Sequence, residues 1–357
     1  MLGPVVPPHG PTPCRLAILA EAPGPDESEH GIPLVGPSGR ELRRWCDHLG
    51  VSLDNIWKGN VFSQMPPGND LAYFTTDKPS PASRALGPLT TNPTGWLKDE
   101  HLHHLDRCTA ELVACAPNVI VALGNTASWF LLGRQGISSI RGTVHACNLA
   151  GRQVKVIPTY HPAAVLRQYS LRTIAIADLE KALAESTTPE LRYDRAEIWT
   201  APSLGDLEEF GLRYLEPLRA AGGVCALDVE TRRGQLTCVG ISASRERAMV
   251  VPFWTGSSPR DYWAQPAEEA QARRWLARWI EDPGLLKVTQ NGLYDIQYLA
   301  AEGFRPRGFL HDTMIAHHSL WSELPKSLEF LGATFANYPS WKGIRRVPAE
   351  EQLKRDE

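Results

Sequence analysis

Cysteine is scarce in this sequence, and a long apolar run is missing. Seven cysteines are scattered over 357 residues, and an odd, dispersed set argues against a disulfide framework and for reduced thiols. No apolar run approaches the ~18 residues of a membrane span, and the proline-rich start lacks the basic and then apolar pattern of a signal peptide. We therefore expect a cytoplasmic protein that makes no membrane contact.

An excess of positive charge is also missing. The chain carries 37 Lys+Arg against 40 Asp+Glu, which gives a formal net charge of -3. A polyanion would meet no general electrostatic attraction from such a chain. Any binding of nucleic acid must therefore use local patches.

Length and composition predict two domains. A chain of 357 residues exceeds the usual size of one domain, and each half is long enough to bury its own core. The polar segment at 185–197 marks the boundary. We therefore predict an N-terminal domain over 1–187 and a C-terminal domain over 188–357.

The first domain is predicted to be an α/β fold, with three layers and a mostly parallel sheet. Short apolar runs at 16–20, 118–124 and 153–158 are typical of buried strands, and a helical pattern covers 102–114. A stretch rich in Pro, Thr, Ser and Gly over 68–97 predicts an inserted loop or lobe. In such folds ligands bind where strands lead into helices, so polar residues after the strands are the candidates for a site.

Three ordered segments carry candidate polar residues, and the first and third of them follow predicted strands. The acids Glu21 and Glu27 follow the first run, in a loop before a helix that Ser38 would cap, with Glu41 at the capping-box spacing. The segments read AEAPGPDESEHGIPLVG from residue 20, NVFSQMPPGN from residue 60 and TYHPAAVLR from residue 159. Together they resemble the motifs of the uracil-DNA glycosylase superfamily, in particular of its iron-sulfur family.

The resemblance implies a role for each residue at a matching position. Glu21 or Glu27 would orient the attacking water and stabilise positive charge on the sugar, and His161 would donate to the leaving base. Asn60 would read the uracil edge, because its amide offers a donor and an acceptor. Leu34 stands where the family usually has a phenylalanine that stacks on uracil, so we expect a weaker or retuned base pocket.

Two further residues of the third segment would contact DNA. Leu166 would fill the space that the flipped base leaves, and Arg167 would hold a phosphate. The base must leave the duplex, or arrive on a single strand, before its bond is cut. The expected partner is therefore single-stranded DNA or duplex DNA with a flipped base.

The iron-sulfur cluster of the resembling family is not expected here. Four cysteines hold it in that family, and a cluster needs thiolate ligands. Cys108 lies near the position of the last ligand, but the pair near the N-terminus is missing, and Ser63 and Gln64 stand near the third position. We predict no cluster, and we expect other contacts to hold together the residues that a cluster would connect.

The second domain begins with a strand that carries acids. Asp228 and Glu230 lie two residues apart in a run over 223–231, so they share one face of the strand. Oxygen ligands on one face suit a hard divalent cation. Neighbouring antiparallel strands are predicted at 235–242 and 248–253.

Ordered segments of this domain resemble the proofreading 3′–5′ exonuclease of DNA polymerase I. They read LDVET from residue 227, QNGLYDIQYL from residue 290, HDTMIA from residue 311 and KSLEFL from residue 326. The resemblance implies a ribonuclease H-like fold with a mixed sheet, and Mg²⁺ or Mn²⁺ bound by Asp228, Glu230 and Asp295. Asn291 would support the strand or the DNA.

The third exonuclease motif, a tyrosine or histidine four residues before an aspartate, is missing. After Asp312 the next aspartate is Asp356, and Gln352 stands four residues before it. Without a fourth acid the second metal would bind poorly, so we expect little or no exonuclease activity. The chain thus resembles the N-terminal part of a bacteriophage DNA polymerase of the polymerase I type, in which a glycosylase-like domain precedes the exonuclease.

Two functions stay open at this point. Glu21, Glu27, Asn60 and His161 together favour an enzyme that excises uracil or a related base beside a proofreading domain. Leu34 and the missing cluster cysteines favour a non-catalytic module that senses or positions template DNA for replication. Either would work in the cytoplasm of a bacterium or a phage-infected host, with DNA and a polymerase domain or other replication proteins as partners.

Overall fold

The computed structural model describes residues 1–91, 93–191, 196–255 and 262–336, and the chain divides into two compact units. Unit 1 comprises Met1–Tyr193 and Glu329–Glu357, and unit 2 comprises Asp194–Leu328. Both are α/β structures, which confirms the predicted fold class. The boundary after residue 187 stays a prediction, and the last described helix packs in unit 1.

Strands and helices alternate along the chain. The strands are β1 (Leu16–Ala20), β2 (Trp57–Asn60), β3 (Thr75–Thr76), β4 (Thr90–Thr91), β5 (Thr94–Leu97), β6 (Val119–Leu123), β7 (His145–Leu149), β8 (Arg152–Thr159), β9 (Glu197–Trp199), β10 (Val224–Arg232), β11 (Gln235–Ser242), β12 (Arg247–Pro252), β13 (Leu286–Thr289) and β14 (Phe309–Asp312). The helices are α1 (Pro25–His30), α2 (Pro37–His48), α3 (Pro81–Leu86), α4 (His103–Cys115), α5 (Gly124–Leu132), α6 (Ile137–Ile140), α7 (Pro162–Arg167), α8 (Leu171–Glu185), α9 (Leu204–Phe210), α10 (Glu216–Ala220), α11 (Pro266–Ile280), α12 (Gly292–Ala301), α13 (Thr313–Leu320) and α14 (Leu328–Phe335). None of the helices in the described ranges has both the length and the apolar composition needed to cross a membrane.

Unit 1 is built on a five-stranded sheet in the order β2-β1-β6-β8-β7. The first four strands run parallel, and β7 pairs antiparallel with β8 at one edge. Strand β1 is buried on both faces, because Ala17 and Leu19 join one apolar cluster while Leu16 and Ile18 join another. Helices therefore cover both faces of the sheet, in the three layers that the sequence predicts.

The stretch predicted as an inserted lobe forms a small sheet. Its three short strands have the order β3-β5-β4, and α3 lies between β3 and β4 in the chain. Phe74 and Leu97 are fully buried and belong to an apolar cluster that also contains residues of the main sheet. The lobe is thus packed onto the core of unit 1.

Unit 2 is built on a six-stranded mixed sheet in the order β14-β13-β10-β11-β12-β9. Strands β10, β11 and β12 form an antiparallel meander, and β13 and then β14 add in parallel beside β10. This order and these directions are those of a ribonuclease H-like fold. Along β10, Cys225, Leu227 and Val229 face the core, and Asp228 and Glu230 lie on the opposite face.

The start of α2 differs from the prediction. The helix begins at Pro37 with Gly36 as its N-cap, and no side chain caps it. Proline suits this position, because its ring fixes a helical φ and it has no N–H that would need a partner. Ser38 therefore lies inside the helix, and the buried Glu41 accepts a hydrogen bond from Arg172 instead. The predicted capping box is wrong.

Candidate functional site

Polar residues of the three motifs lie along one edge of the unit 1 sheet. Asn60 pairs with the end of β1, and Thr159 pairs with the end of β6. Because these strands run parallel, their carboxyl ends meet at the same edge. Glu21 follows β1 directly, Asn60 ends β2, and His161 comes two residues after β8. The sheet thus brings the three motifs to a common edge.

Glu27 is held by backbone donors. The short helix α1, which occupies the predicted acidic loop, places Glu27 in its first turn. There Oε2 accepts a hydrogen bond of 2.6 Å from the Gly24 N–H, and Oε1 accepts one from the Leu34 N–H. Burial raises the pKa of Glu27, although both donors and the neighbouring Asn60 side chain act to lower it. The carboxylate therefore lies beside Asn60.

The side-chain amide of Asn60 lies beside Glu27 and helps to lower the pKa of that carboxyl group. The residue is 3% exposed, and among the described residues neither Oδ1 nor Nδ2 has a hydrogen-bond partner at normal distance and angle. Buried polar groups are nearly always paired, and an unpaired one costs free energy. A donor and an acceptor side by side fit the polar edge of a pyrimidine such as uracil.

His161 is arranged as a neutral donor. It caps α7, and its Nδ1 accepts a hydrogen bond of 3.1 Å from the Ala163 N–H, so the proton of the neutral ring is on Nε2. Burial lowers the pKa of His161 to about 4, and the charge of Arg167 acts in the same direction. The residue packs closely on Gly124, where φ is 83° and an added Cβ would lie 3.3 Å from the His161 Cβ.

Glu21 is paired with Thr126, which the sequence analysis did not single out. The Thr126 hydroxyl, in the first turn of α5, donates to Oε2 of Glu21. Burial raises the pKa of Glu21, and this hydrogen bond opposes the rise. The Glu21 carbonyl oxygen also accepts a hydrogen bond of 2.9 Å from the Phe62 N–H, which joins the first motif to the second. The sequence signal that could have identified Thr126 is its position three residues after the end of β6, in the strand-to-helix turn.

Leu34 contributes its backbone to the site. Its φ of 58° is in the left-handed region, which costs a non-glycine residue on the order of 1–3 kcal/mol and is concentrated at functional sites. The side chain is 5% exposed and belongs to an apolar cluster with Leu42 and Trp45. The contribution visible here is the N–H that binds Glu27, and a contact between the Leu34 side chain and a base stays a prediction.

The two predicted DNA contacts lie on the exposed side of α7. Leu166 is 48% exposed, and Arg167 is exposed and close enough to His161 to lower its pKa. An exposed apolar side chain next to a cation, beside the strand ends, suits contact with a nucleic acid. DNA binding by Leu166 and Arg167 stays a prediction.

The cysteines do not fit an iron-sulfur cluster. Cys108 is fully buried in α4, and burial raises the pKa of its thiol to about 12, whereas a cluster requires thiolates. Near the expected third ligand position, the Ser63 hydroxyl lies 3.3 Å from Nδ1 of His104. In the described ranges no three His, Cys, Asp or Glu side chains are grouped to hold a metal ion. The absence of a cluster stays a prediction.

The predicted metal ligands of unit 2 lie on two elements. Asp228 and Glu230 share one face of β10, and Asp295 is buried in the first turn of α12. Asp295 Oδ1 accepts a hydrogen bond of 3.1 Å from the Val229 N–H, and within the described ranges its Oδ2 accepts no hydrogen bond. Burial raises the pKa of Asp295 to about 6, and the charges of Asp228 and Asp312 add to the rise. Asp295 thus lies near Asp228, but the described residues contain no metal-binding group of three, and cation binding stays a prediction.

Asp312 joins the starts of two helices. Its carboxylate accepts hydrogen bonds of 3.1 and 2.7 Å from the N–H groups of Asn291 and Gly292, and of 2.8 and 3.3 Å from those of Met314 and Ile315. Burial would raise the pKa of Asp312, but these donors outweigh it and the pKa is lowered. Asn291, with a φ of 60°, turns the chain into α12, and its contact with DNA stays a prediction. Gln352 and Asp356, considered for the third motif, lie outside the described residues.

Comparison with known proteins agrees with this geometry in unit 1. The sequence model of the uracil DNA glycosylase superfamily matches residues 7–185. The type-4 uracil-DNA glycosylase of Archaeoglobus fulgidus is 32% identical over 181 residues, which are 49% of this chain and 79% of that protein. A DNA polymerase of Bacillus phage SP01 is 23% identical over 315 residues, which are 80% of this chain and 30% of the polymerase.

Among solved structures, the catalytic core of RRP6 from Trypanosoma brucei aligns with a TM-score of 0.32 and 20% identity, over 45% of this chain and 42% of that one. The sequence matches support a role in DNA repair or replication. The superfamily match extends over all three motifs of unit 1. This chain belongs to the uracil DNA glycosylase superfamily.

Proposed function

We propose that unit 1 releases uracil from DNA by cleaving the N-glycosidic bond, in repair or replication. Asn60 carries this assignment, because its buried amide lies beside Glu27 at the sheet edge that His161 also follows, and in the described ranges it makes no hydrogen bond of normal geometry. A uracil bound at this edge would supply both missing hydrogen bonds. The match to type-4 uracil-DNA glycosylases supports the same substrate.

The roles of the side chains follow from where charge develops. As the bond breaks, positive charge grows on the sugar and negative charge grows on the base. His161 would donate its Nε2–H to a base oxygen, while Asn60 holds the base edge. Both oxygens of Glu27 accept one backbone N–H each and keep lone pairs with which to orient the attacking water. Glu21, held by Thr126, would add a second negative charge that stabilises the sugar cation.

The substrate would be single-stranded DNA or a duplex with one base flipped out. Exposed Leu166 would fill the gap in the stack, and Arg167 would bind a phosphate beside it. With a net charge of -3, the protein has no general attraction for DNA, so such local contacts carry much of the binding.

Incubation with single-stranded DNA that carries one uracil tests this function. We expect alkali-labile abasic sites to accumulate at the uracil and none to form when thymine replaces it. Asn60→Ala should abolish most of the product, because the base edge then loses its partner. A parent chain that forms no abasic sites under these conditions would refute base excision.

A non-catalytic module that holds template DNA is the second candidate. Leu34 favours it, because its side chain packs in the apolar core, and the stacking that an aromatic residue would add at this position, about 1–3 kcal/mol per base, is absent. The same assay separates the two functions. Tight binding of uracil-containing DNA without abasic sites would support the module.

For unit 2 we propose an exonuclease-like role with little activity in this chain, beside a polymerase domain of a phage-type enzyme. The 80% of the chain that matches the phage SP01 polymerase supports this arrangement. With Mn²⁺ and a 5′-labelled single strand, we expect little shortening, because this sequence lacks the third exonuclease motif and the fourth acid that it would supply. Shortening that Asp228→Ala abolishes would contradict this expectation.

A further inference from the structure

Helix α4 contacts the backbone that carries Asn60. Arg107 Nη2 donates hydrogen bonds of 2.8 Å to the carbonyl oxygens of both Asn60 and Val61. Its Nη1 forms an ion pair with Glu111, one turn further along α4. A planar guanidinium that is fixed by a carboxylate and shared by two consecutive carbonyls defines the position of both peptide groups.

His104, about one turn before Arg107, holds the end of the same segment. Its Nδ1 lies 3.4 Å from the Ser63 nitrogen and 3.3 Å from the Ser63 hydroxyl. The imidazole is fully buried and meets the rings of Phe62 and Phe74 edge-on, with centroids 5.5 and 5.8 Å away. Burial lowers the pKa of His104 to about 4, so Nδ1 stays an acceptor at neutral pH.

The opposite side of this segment is held by the sheet. The Val61 N–H donates to the Ala20 carbonyl oxygen at 3.0 Å, and the Phe62 N–H donates to that of Glu21 at 2.9 Å. The segment 60–63 is therefore clamped between the end of β1 and helix α4. None of these contacts uses the Asn60 amide, which stays beside Glu27.

We propose that Arg107 and His104 are positioning residues, which fix the segment 60–63 so that the Asn60 amide faces the base. In the resembling iron-sulfur family, cluster cysteines lie near Ser63 and near Cys108, and the residues of this chain do not fit that cluster. In this chain hydrogen bonds from side chains of α4 connect that helix to the segment 60–63. Their role in catalysis rests on the proposed function of Asn60, whereas their effect on the segment is measurable without it.

The positioning role of Arg107 is tested by measuring uracil release by four proteins: the parent chain, Arg107→Met, Asn60→Ala and the double variant. We expect Arg107→Met to lower kcat/KM by about 10- to 100-fold, because a displacement of ~1 Å in a site has effects of this size. In the Asn60→Ala background the same substitution should change the rate by less than about twofold, since an arginine that acts through Asn60 has nothing left to position. Arg107→Lys should recover part of the loss.

Arg213→Met is the matched control. Arg213 also pairs with a glutamate one turn away, Glu209 at 3.3 Å, but this pair is exposed and lies in unit 2. The control should keep the parent rate. Equal losses from Arg107→Met in both backgrounds, or no loss at all, would overturn the positioning role of Arg107.

Hydrogen exchange tests the clamp without uracil release. Two variants are used: Arg107→Met, and His104→Phe, which keeps an aromatic ring but removes the hydrogen-bond acceptor. Each should speed exchange of the amides of 61–63 by ~10-fold or more. Exchange of the Val121 amide in β6 should stay unchanged. Unchanged exchange at 61–63 would contradict the clamp even in a chain that releases uracil. Faster exchange in a chain that releases none would support the clamp and refute only base excision.

Discussion

His161→Ala is expected to slow uracil release by about 10²- to 10³-fold at saturating DNA, the usual loss when one donor to a developing negative charge is removed. The missing group is the Nε2–H, which the Ala163 N–H keeps in place by occupying Nδ1. Single-turnover release from single-stranded uracil-containing DNA measures this step. DNA affinity should change much less, because the donor acts mainly on the charge of the leaving base.

The dependence of the rate on pH in the parent chain distinguishes protonation of His161 from protonation of Glu21 and Glu27. The pKa of His161 is lowered to about 4, so its ring is neutral above that pH. The pKa values of Glu21 and Glu27 are raised above 4.5, so acid protonates these carboxylates first. The rate should therefore fall as the pH drops through the raised carboxyl pKa values, and stay level as the pH rises through 6.5, the ordinary pKa of histidine.

His48→Ala is the control for the histidine substitution, because His48 is exposed at the end of α2. It should release uracil at the parent rate. Equal melting temperatures of the two variants would exclude unfolding as the cause of the loss. A rate that falls on the alkaline side between about pH 6 and 7, where an ordinary histidine loses its proton, would contradict a neutral donor.

Strand ends were the most predictable part of the site. Apolar runs that stop at Gly or Pro identify β1, β6 and β8, and parallel order places the residues after them on one edge. This reasoning locates Glu21 and His161 without any knowledge of their contacts, whereas Asn60 was located by its motif, because β2 carries no apolar run of this kind. The antiparallel edge strand β7 and the short helix α1 were not foreseen, because their residues carry no comparable apolar pattern.

Contacts between distant side chains were not predictable from the sequence. Arg107 lies 47 residues from Asn60, and an arginine in an amphipathic helix is usually solvated, so nothing in the pattern pointed to its carbonyl contacts. The contacts of Asp312 were also not predicted, although the residue belongs to a recognisable segment. Its carboxylate accepts hydrogen bonds from four backbone N–H groups. Such roles depend on which elements pack together, and local sequence does not specify that.

Asp178→Ala is expected to lower the free energy of unfolding of unit 1 by about 3–5 kcal/mol, because it leaves a buried guanidinium without its partner. Asp178 and Arg141 are 2% and 1% exposed. The carboxylate accepts two hydrogen bonds from Arg141 and one of 2.7 Å from the Thr159 hydroxyl. Hydrogen exchange of the β6 amides, which belong to unit 1, measures the change.

Asp54→Ala is the matched control for this buried pair. Asp54 accepts hydrogen bonds of 3.1 and 2.9 Å from Arg43 in the same two-fold manner, but both side chains are exposed, and breaking such a pair costs at most about 1 kcal/mol. Equal losses from the two substitutions would show that burial does not set the cost. A larger loss at Asp178 would also connect this pair to the candidate site, because Thr159, the other residue that bonds to Asp178, ends β8 two residues before His161.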